Sequence, residues 1–138
     1  MADTDSAPRA EQGVDPELLE LWAKVFGFAR AGETDNLAAY VDAGIPVNMT
    51  NDKGDTLVML AAYHGHAGTV AALLERGAEP NRLNDKGQSP LAGAVFKAEP
   101  EVVKVLLNGG ADPDAGQPSA VETARTFGNT EMLALLQP

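Results

Sequence analysis

NDKGDTLVMLAAYHGHAGTVAALLERGAEPNRL, residues 51–83, runs without a gap into NDKGQSPLAGAVFKAEPEVVKVLLNGGADPDAG, residues 84–116. Laid on one another, the two stretches agree at 11 of 33 positions, where unrelated segments would share about two or three. Asn51-Asp52-Lys53-Gly54 returns as Asn84-Asp85-Lys86-Gly87, Leu73-Leu74 as Leu106-Leu107, and Gly77-Ala78 as Gly110-Ala111. The frame extends in both directions. One period back, Gly32, Gly44 and Asn48 align with Gly65, Gly77 and Asn81. Going forward, Ala124 and Gly128 align with Ala61 and Gly65 once three residues near 115–118 are deleted.

Each unit has a physical reading. A glycine turn, Lys53-Gly54 or Lys86-Gly87, reverses the chain where a positive φ carries no steric cost. Thr56 or Ser89 then stands where a side-chain oxygen can cap a helix, and Pro90 falls on the first helical position. A short helix runs to Gly65, and a second covers about 67–76, with Val70, Leu73 and Leu74 on one face. One such pair cannot bury its own apolar face, so neighbours must stack. At the front, a longer helix from Pro16 to Arg30 carries a stripe of Leu18, Leu19, Trp22, Val25, Phe26 and Ala29, with Asp15 as its cap. Trp22 therefore reads as packing, although tryptophan is also enriched among binding anchors.

These residues resemble the ankyrin repeat family, whose unit reads roughly D-x-x-G-x-T-P-L-H-x-A-A-x-x-G-H and then V-x-x-L-L-x-x-G-A. The chain supplies Gly54, Thr56, Ala61, Ala62, Gly65, His66, Val70, Leu73, Leu74, Gly77 and Ala78 in one unit. The next keeps Gly87, Ser89, Pro90, Leu91, Ala94, Val103, Leu106, Leu107, Gly110 and Ala111. The resemblance spans about residues 20–137. It implies an all-α solenoid of stacked helix–turn–helix units with protruding β-turn or hairpin loops. About four repeats are expected: an N-terminal cap repeat over 15–50, repeats over 51–83 and 84–116, and a truncated C-terminal cap repeat over 117–138. Residues 1–14, polar and acidic, are expected to form a disordered tail.

The sequence departs from the family at the T-P-L-H stretch, which here reads Thr56-Leu57-Val58-Met59 and Ser89-Pro90-Leu91-Ala92. The histidine that ties neighbouring turns together in the family is absent both times. Gly93 inside a short helix costs up to about 1 kcal/mol relative to alanine. Moderate stability is therefore expected. His66 fills the family's Gly-His position, where the resemblance implies a local hydrogen bond, and His64 stands at a variable, exposed position.

Composition narrows the function. The net charge is -10, and nucleic-acid binding calls for a cationic surface that displaces counterions. There is no cysteine, which removes thiolate metal sites and cysteine nucleophiles. Of the three serines, Ser6 lies in the tail while Ser89 and Ser119 stand at capping positions, and no histidine shares their repeat positions. No phosphate-cradling glycine run is present, and His64 and His66 lack further soft ligands for a metal. No catalytic, cofactor or metal site is expected, and an enzyme is a remote alternative. With no secretory signal and no apolar run near the roughly 18 residues of a membrane span, a soluble cytoplasmic protein, monomeric when free, is expected.

What remains is recognition. In the family, partners meet a concave surface of turn tips and the exposed side of the first helices. Carried over by position, that surface holds Asp52, Lys53, Asp55, Tyr63 and His64, then Asp85, Lys86, Gln88, Phe96 and Lys97. The family geometry puts Tyr63 and Phe96 beside the turn tips. Two readings follow: a small adaptor or regulator that docks a partner protein on this surface, or an obligate capping or stabilising subunit of a larger assembly. The second calls for a larger and more hydrophobic interface than this face offers.

Overall fold

A computed structural model describes residues 15–137, and the expected disordered tail at 1–14 lies outside them. Eight helices follow one another: α1 (Pro16–Ala31), α2 (Thr34–Asp42), α3 (Leu57–Tyr63), α4 (Ala67–Glu75), α5 (Pro90–Phe96), α6 (Pro100–Asn108), α7 (Ala120–Thr126) and α8 (Thr130–Leu136). First helices α1, α3, α5 and α7 pack side by side in chain order, and second helices α2, α4, α6 and α8 form a parallel layer behind them. Each first helix also packs on its own second helix. This is the stacked, all-helical solenoid expected from the period. Among the described residues the hairpin loops are reduced to tight turns with a single isolated bridge, Thr50 to Thr56.

Local chemistry starts each first helix. The Asp15 carboxylate accepts from the Glu17 amide at 2.8 Å, with Pro16 at the first turn. Thr56 Oγ1 accepts from Met59 N at 3.1 Å, and Ser89 Oγ accepts from Ala92 N at 3.0 Å. Ser119 makes a reciprocal capping box with Glu122. Such caps contribute about 1 kcal/mol each, which matters for helices of seven residues that could not persist alone.

The first-helix layer is the core. Leu57 to Ala62, six of the seven residues of α3, are buried, as are Leu91, Ala92, Ala94 and Val95 of α5. A helix apolar all round must lie between neighbours. Ala61, Ala62, Ala94, Ala120 and Ala124 are the small residues that let those neighbours approach. Met59 and Ala92, which replace the family's histidine, are buried as well. On α1, Val25, Phe26 and Ala29 are buried and Leu18, Leu19 and Trp22 half-buried, so Trp22 packs on the core as its stripe indicated. Its indole nitrogen is buried without a hydrogen-bond partner among the described residues.

One local expectation is corrected. His66 does not bond locally: its Nε2 lies 2.8 Å from the carbonyl oxygen of Arg30, 36 residues earlier, on the preceding repeat. Its ring fills the space beside Gly32, where an added Cβ would sit 2.5 Å from His66 Nδ1. Glu99, one period on, lies against Gly65 in the same way. Glycine at these helix ends thus makes room for the next repeat as well as taking a positive φ. In the third unit the same position is Ala98, held at φ 55°, where a side chain is strained.

Candidate interaction surface

The residues carried over as a binding surface divide into two groups. Asp52, Lys53, Asp55, Asp85, Lys86 and Gln88 belong to the turns that precede α3 and α5. Tyr63, His64, Phe96 and Lys97 stand where those helices end. Tyr63 and Phe96 are therefore not beside the turn tips. Six residues of helix at about 1.5 Å each place them roughly 9 Å further along the axis.

At the turns, polar groups satisfy one another. Asn51 Oδ1 accepts from Lys53 N at 2.9 Å and from Asp55 N at 3.0 Å. Asn84 repeats this with Lys86 N and Gln88 N, both at 3.0 Å. The asparagine side chain is the right length for such a turn because it bonds to backbone two and four residues on. The turns are also tied to each other. Asp85 N donates to Lys53 O at 3.0 Å, Asn84 Nδ2 to Asp55 Oδ1 at 2.9 Å, and Gln117 N to Gly87 O at 3.0 Å. An added Cβ on Gly54 would sit 2.6 Å from Asp85 Oδ1 and 2.8 Å from its backbone nitrogen. Neighbouring turns are thus joined without the missing histidine. Asp55 and Gln88 take part in this internal network, whereas Asp52, Lys53, Asp85 and Lys86 are exposed.

At the far end of the first helices the groups differ. Tyr63 is 40% exposed, Phe96 55% and Phe127 63%, each much larger than the residues around it. The Phe96 and Phe127 rings meet edge to face, with centroids 5.6 Å apart, and the Lys97 ammonium stands 5.1 Å from the Tyr63 centroid. Tyr63 also leans over Gly93, which gives that glycine a neighbour as well as a cost. Arg30, His64, Lys97 and Arg125, at the same ends of α1, α3, α5 and α7, are all exposed. Partial desolvation first, then the positive charge of His66, Arg30 and Lys97, holds the His64 imidazole below its ordinary value. An open cavity of about 520 Å³ separates the ends of α5 and α7, lined by Val95, Phe96, Ala98, Thr123, Phe127 and Glu131 among others.

Some contributors were not singled out from the sequence. Phe127 stands one period after Lys97 if the three-residue deletion is allowed, so its place was legible but its role was not. Asn48 and Asn81 clamp the next repeat: Asn48 bonds Gly77 O and Glu79 N, and Asn81 bonds Gly110 O and Asp112 N. Their recurrence one period apart was the available signal. No group of three or more histidine, aspartate or glutamate side chains is arranged to hold a metal among the described residues.

The ankyrin repeats family model, in three copies, matches residues 26–117, more than half of the chain. The chain belongs to the ankyrin repeat family. A Pseudomonas aeruginosa protein named as an ankyrin repeat protein is 47% identical over 66 residues, 48% of this chain. That stretch is 37% of the relative, so this chain matches little more than a third of the curated relative's length. Ankyrin repeats are in general protein–protein interaction modules. No helix among the described residues is long and apolar enough to cross a membrane.

Proposed function

We propose that this ankyrin array is a small cytoplasmic adaptor or regulator, monomeric when free. It docks one partner protein on the exposed side of the first-helix layer and the adjoining turns. The observation that carries this is the set of exposed rings, Tyr63 and Phe96 closing helices otherwise almost wholly buried and Phe127 just beyond α7. Rigid aromatics with mixed charges at their rim are the composition of an interface centre. Asp52, Lys53, Asp85, Lys86, His64 and Lys97 supply the rim, and Asp55 and Gln88 hold the turns in shape beside it. The domain limits follow the same reading: a cap repeat over 15–50, two repeats over 51–83 and 84–116, and a short cap over 117–138.

The fold sets the role of the surface and not the identity of the partner. The test is affinity purification from the native cell with the full chain and with a Tyr63→Ala, Phe96→Ala variant whose helical circular dichroism is unchanged. Loss of the co-purifying protein supports the reading. Equal recovery with both proteins contradicts it.

A further inference from the structure

We propose that the far ends of the first helices take an extended acidic peptide, with an apolar side chain set between its carboxylates. This rests on the reading that a partner docks on the first-helix layer and goes on to state that partner's chemistry.

The charges make the case. The protein is strongly acidic, at -10, yet Arg30, Lys97 and Arg125 have no carboxylate within ion-pair distance among the described residues. The second-helix layer behaves in the opposite way: Arg76 is paired with Asp42 at 2.9 Å and Lys104 with Glu101 at 3.3 Å. Cations left unpaired in an acidic protein, at the ends of α1, α5 and α7 and with Arg30 and Lys97 both acting on His64 beside Tyr63, offer charge complementarity to an anion that also carries apolar groups. Carboxylates border the row as well. Glu99 lies against Gly65 and Glu131 lines the cavity between α5 and α7. The exposed faces of the paired Phe96 and Phe127 rings are the place for the apolar side chain, with the polar groups of the cavity beside them.

Spacing sets the length of the ligand. Packed helices stand about 8–10 Å apart, and an extended chain advances about 3.3 Å per residue. A carboxylate at every third residue thus keeps step with the repeats, and about ten residues reach from Arg30 to Arg125. The net negative charge does not forbid this, since charges beyond a Debye length of about 8 Å are screened and the contacting cations dominate. A nucleic acid is a poorer fit, because so few cations release few counterions and the bordering carboxylates repel a continuous polyanion.

The test is fluorescence anisotropy on the full chain with a labelled ten-residue peptide. It has glutamate at positions one, four, seven and ten, and phenylalanine after each of the first three. Its lysine-for-glutamate counterpart serves as the opposite-charge probe. The glutamate peptide should bind at least about tenfold more tightly than the lysine peptide. A Lys97→Gln, Arg125→Gln variant should lose about tenfold, while Lys104→Gln on the second layer stays within about twofold. Preference for the lysine peptide, no binding of the glutamate peptide at millimolar concentration, tighter binding of a single-stranded oligonucleotide, or equal loss in Lys104→Gln would overturn the proposal. If the native partner is lost in the Tyr63→Ala, Phe96→Ala variant while the glutamate peptide fails, the site stands and its partner chemistry falls. If the native partner is retained, the site itself falls.

Discussion

The two ends of the first helices in this ankyrin array are built from the same repeat and end in opposite states. At the turn end, backbone amides and asparagine side chains are turned inward: asparagines bond their own backbone, and one turn donates to the next. The charged Asp52, Lys53, Asp85 and Lys86 side chains reach outward. At the far end, rings and cations are left facing solvent, with Lys97 over Tyr63 and Phe96 against Phe127 as their closest satisfaction. The difference teaches a division of labour within a single repeat. Repeated residues spend their hydrogen bonds on holding the stack, and variable residues are left with unsatisfied surface that a partner can cover.

The comparison breaks most visibly in binding. Tyr63→Ala with Phe96→Ala should weaken partner binding by about a hundredfold, two hot-spot truncations of roughly 1–2 kcal/mol each, and should shift unfolding by less than about 1 kcal/mol. Chemical denaturation beside a binding titration separates the two readouts. Lys53→Ala with Lys86→Ala should cost binding only a few-fold, because exposed rim charges contribute less than about 1 kcal/mol each.

The reverse pattern belongs to the turns. Asn84→Ala removes the acceptor for two backbone amides and the donor to Asp55 and Gln88, so it should cost about 2 kcal/mol of folding stability. The melting temperature should fall by roughly 4–8 °C. Partner affinity, measured well below that temperature, should change little. A variant that loses binding without losing stability would erase the division.

Two backbone exchanges near the end of α5 sharpen the comparison further. Ala98→Gly places the permissive residue where φ is positive, and Gly93→Ala puts a helix former inside the helix. Each should raise stability by up to about 1 kcal/mol. An added Cβ on Gly93 meets Tyr63 Cδ1 at 3.5 Å, an ordinary contact. A destabilised Gly93→Ala protein would show that the Tyr63 ring cannot share that space.

How much of this was legible is clear from particular residues. The period, the caps at Asp15, Thr56, Ser89 and Ser119, and the turn glycines all depend on neighbours a few positions away, and the sequence reading found them. His66 reaching the carbonyl of Arg30, and Asn81 clamping Asp112, depend on residues some thirty positions away, so only recurrence hinted at them. Phe127 escaped notice because its aligned positions, His64 and Lys97, carry no aromatic hydrocarbon ring to mark it. Tyr63 and Phe96 share one repeat position in the sequence, and both rings are exposed. Their distance from the turns follows from helix rise, which the family picture had not counted.

The smallest effect concerns pH. The His64 imidazole faces Arg30 of α1, His66 at the start of α4 and Lys97 beyond α5, and its value is lowered. An unfolded histidine takes up its proton near pH 6.5, before the folded one does. Stability should therefore decline as pH falls through that value and level off below the folded one. The slope difference between the protein and His64→Gln, read from melting temperatures between pH 7.5 and 5.5, isolates this contribution.

The central claim is that the partner lies against the far ends of the first helices. Its most direct test is photo-crosslinking in the native cell, with a benzophenone phenylalanine analogue placed singly at positions 53, 86, 96 and 127 of the full chain. The account expects one shared partner adduct that is strong from Phe96 and Phe127 and weak from Lys53 and Lys86. Adducts from the two turn positions with none from 96 or 127 would contradict it.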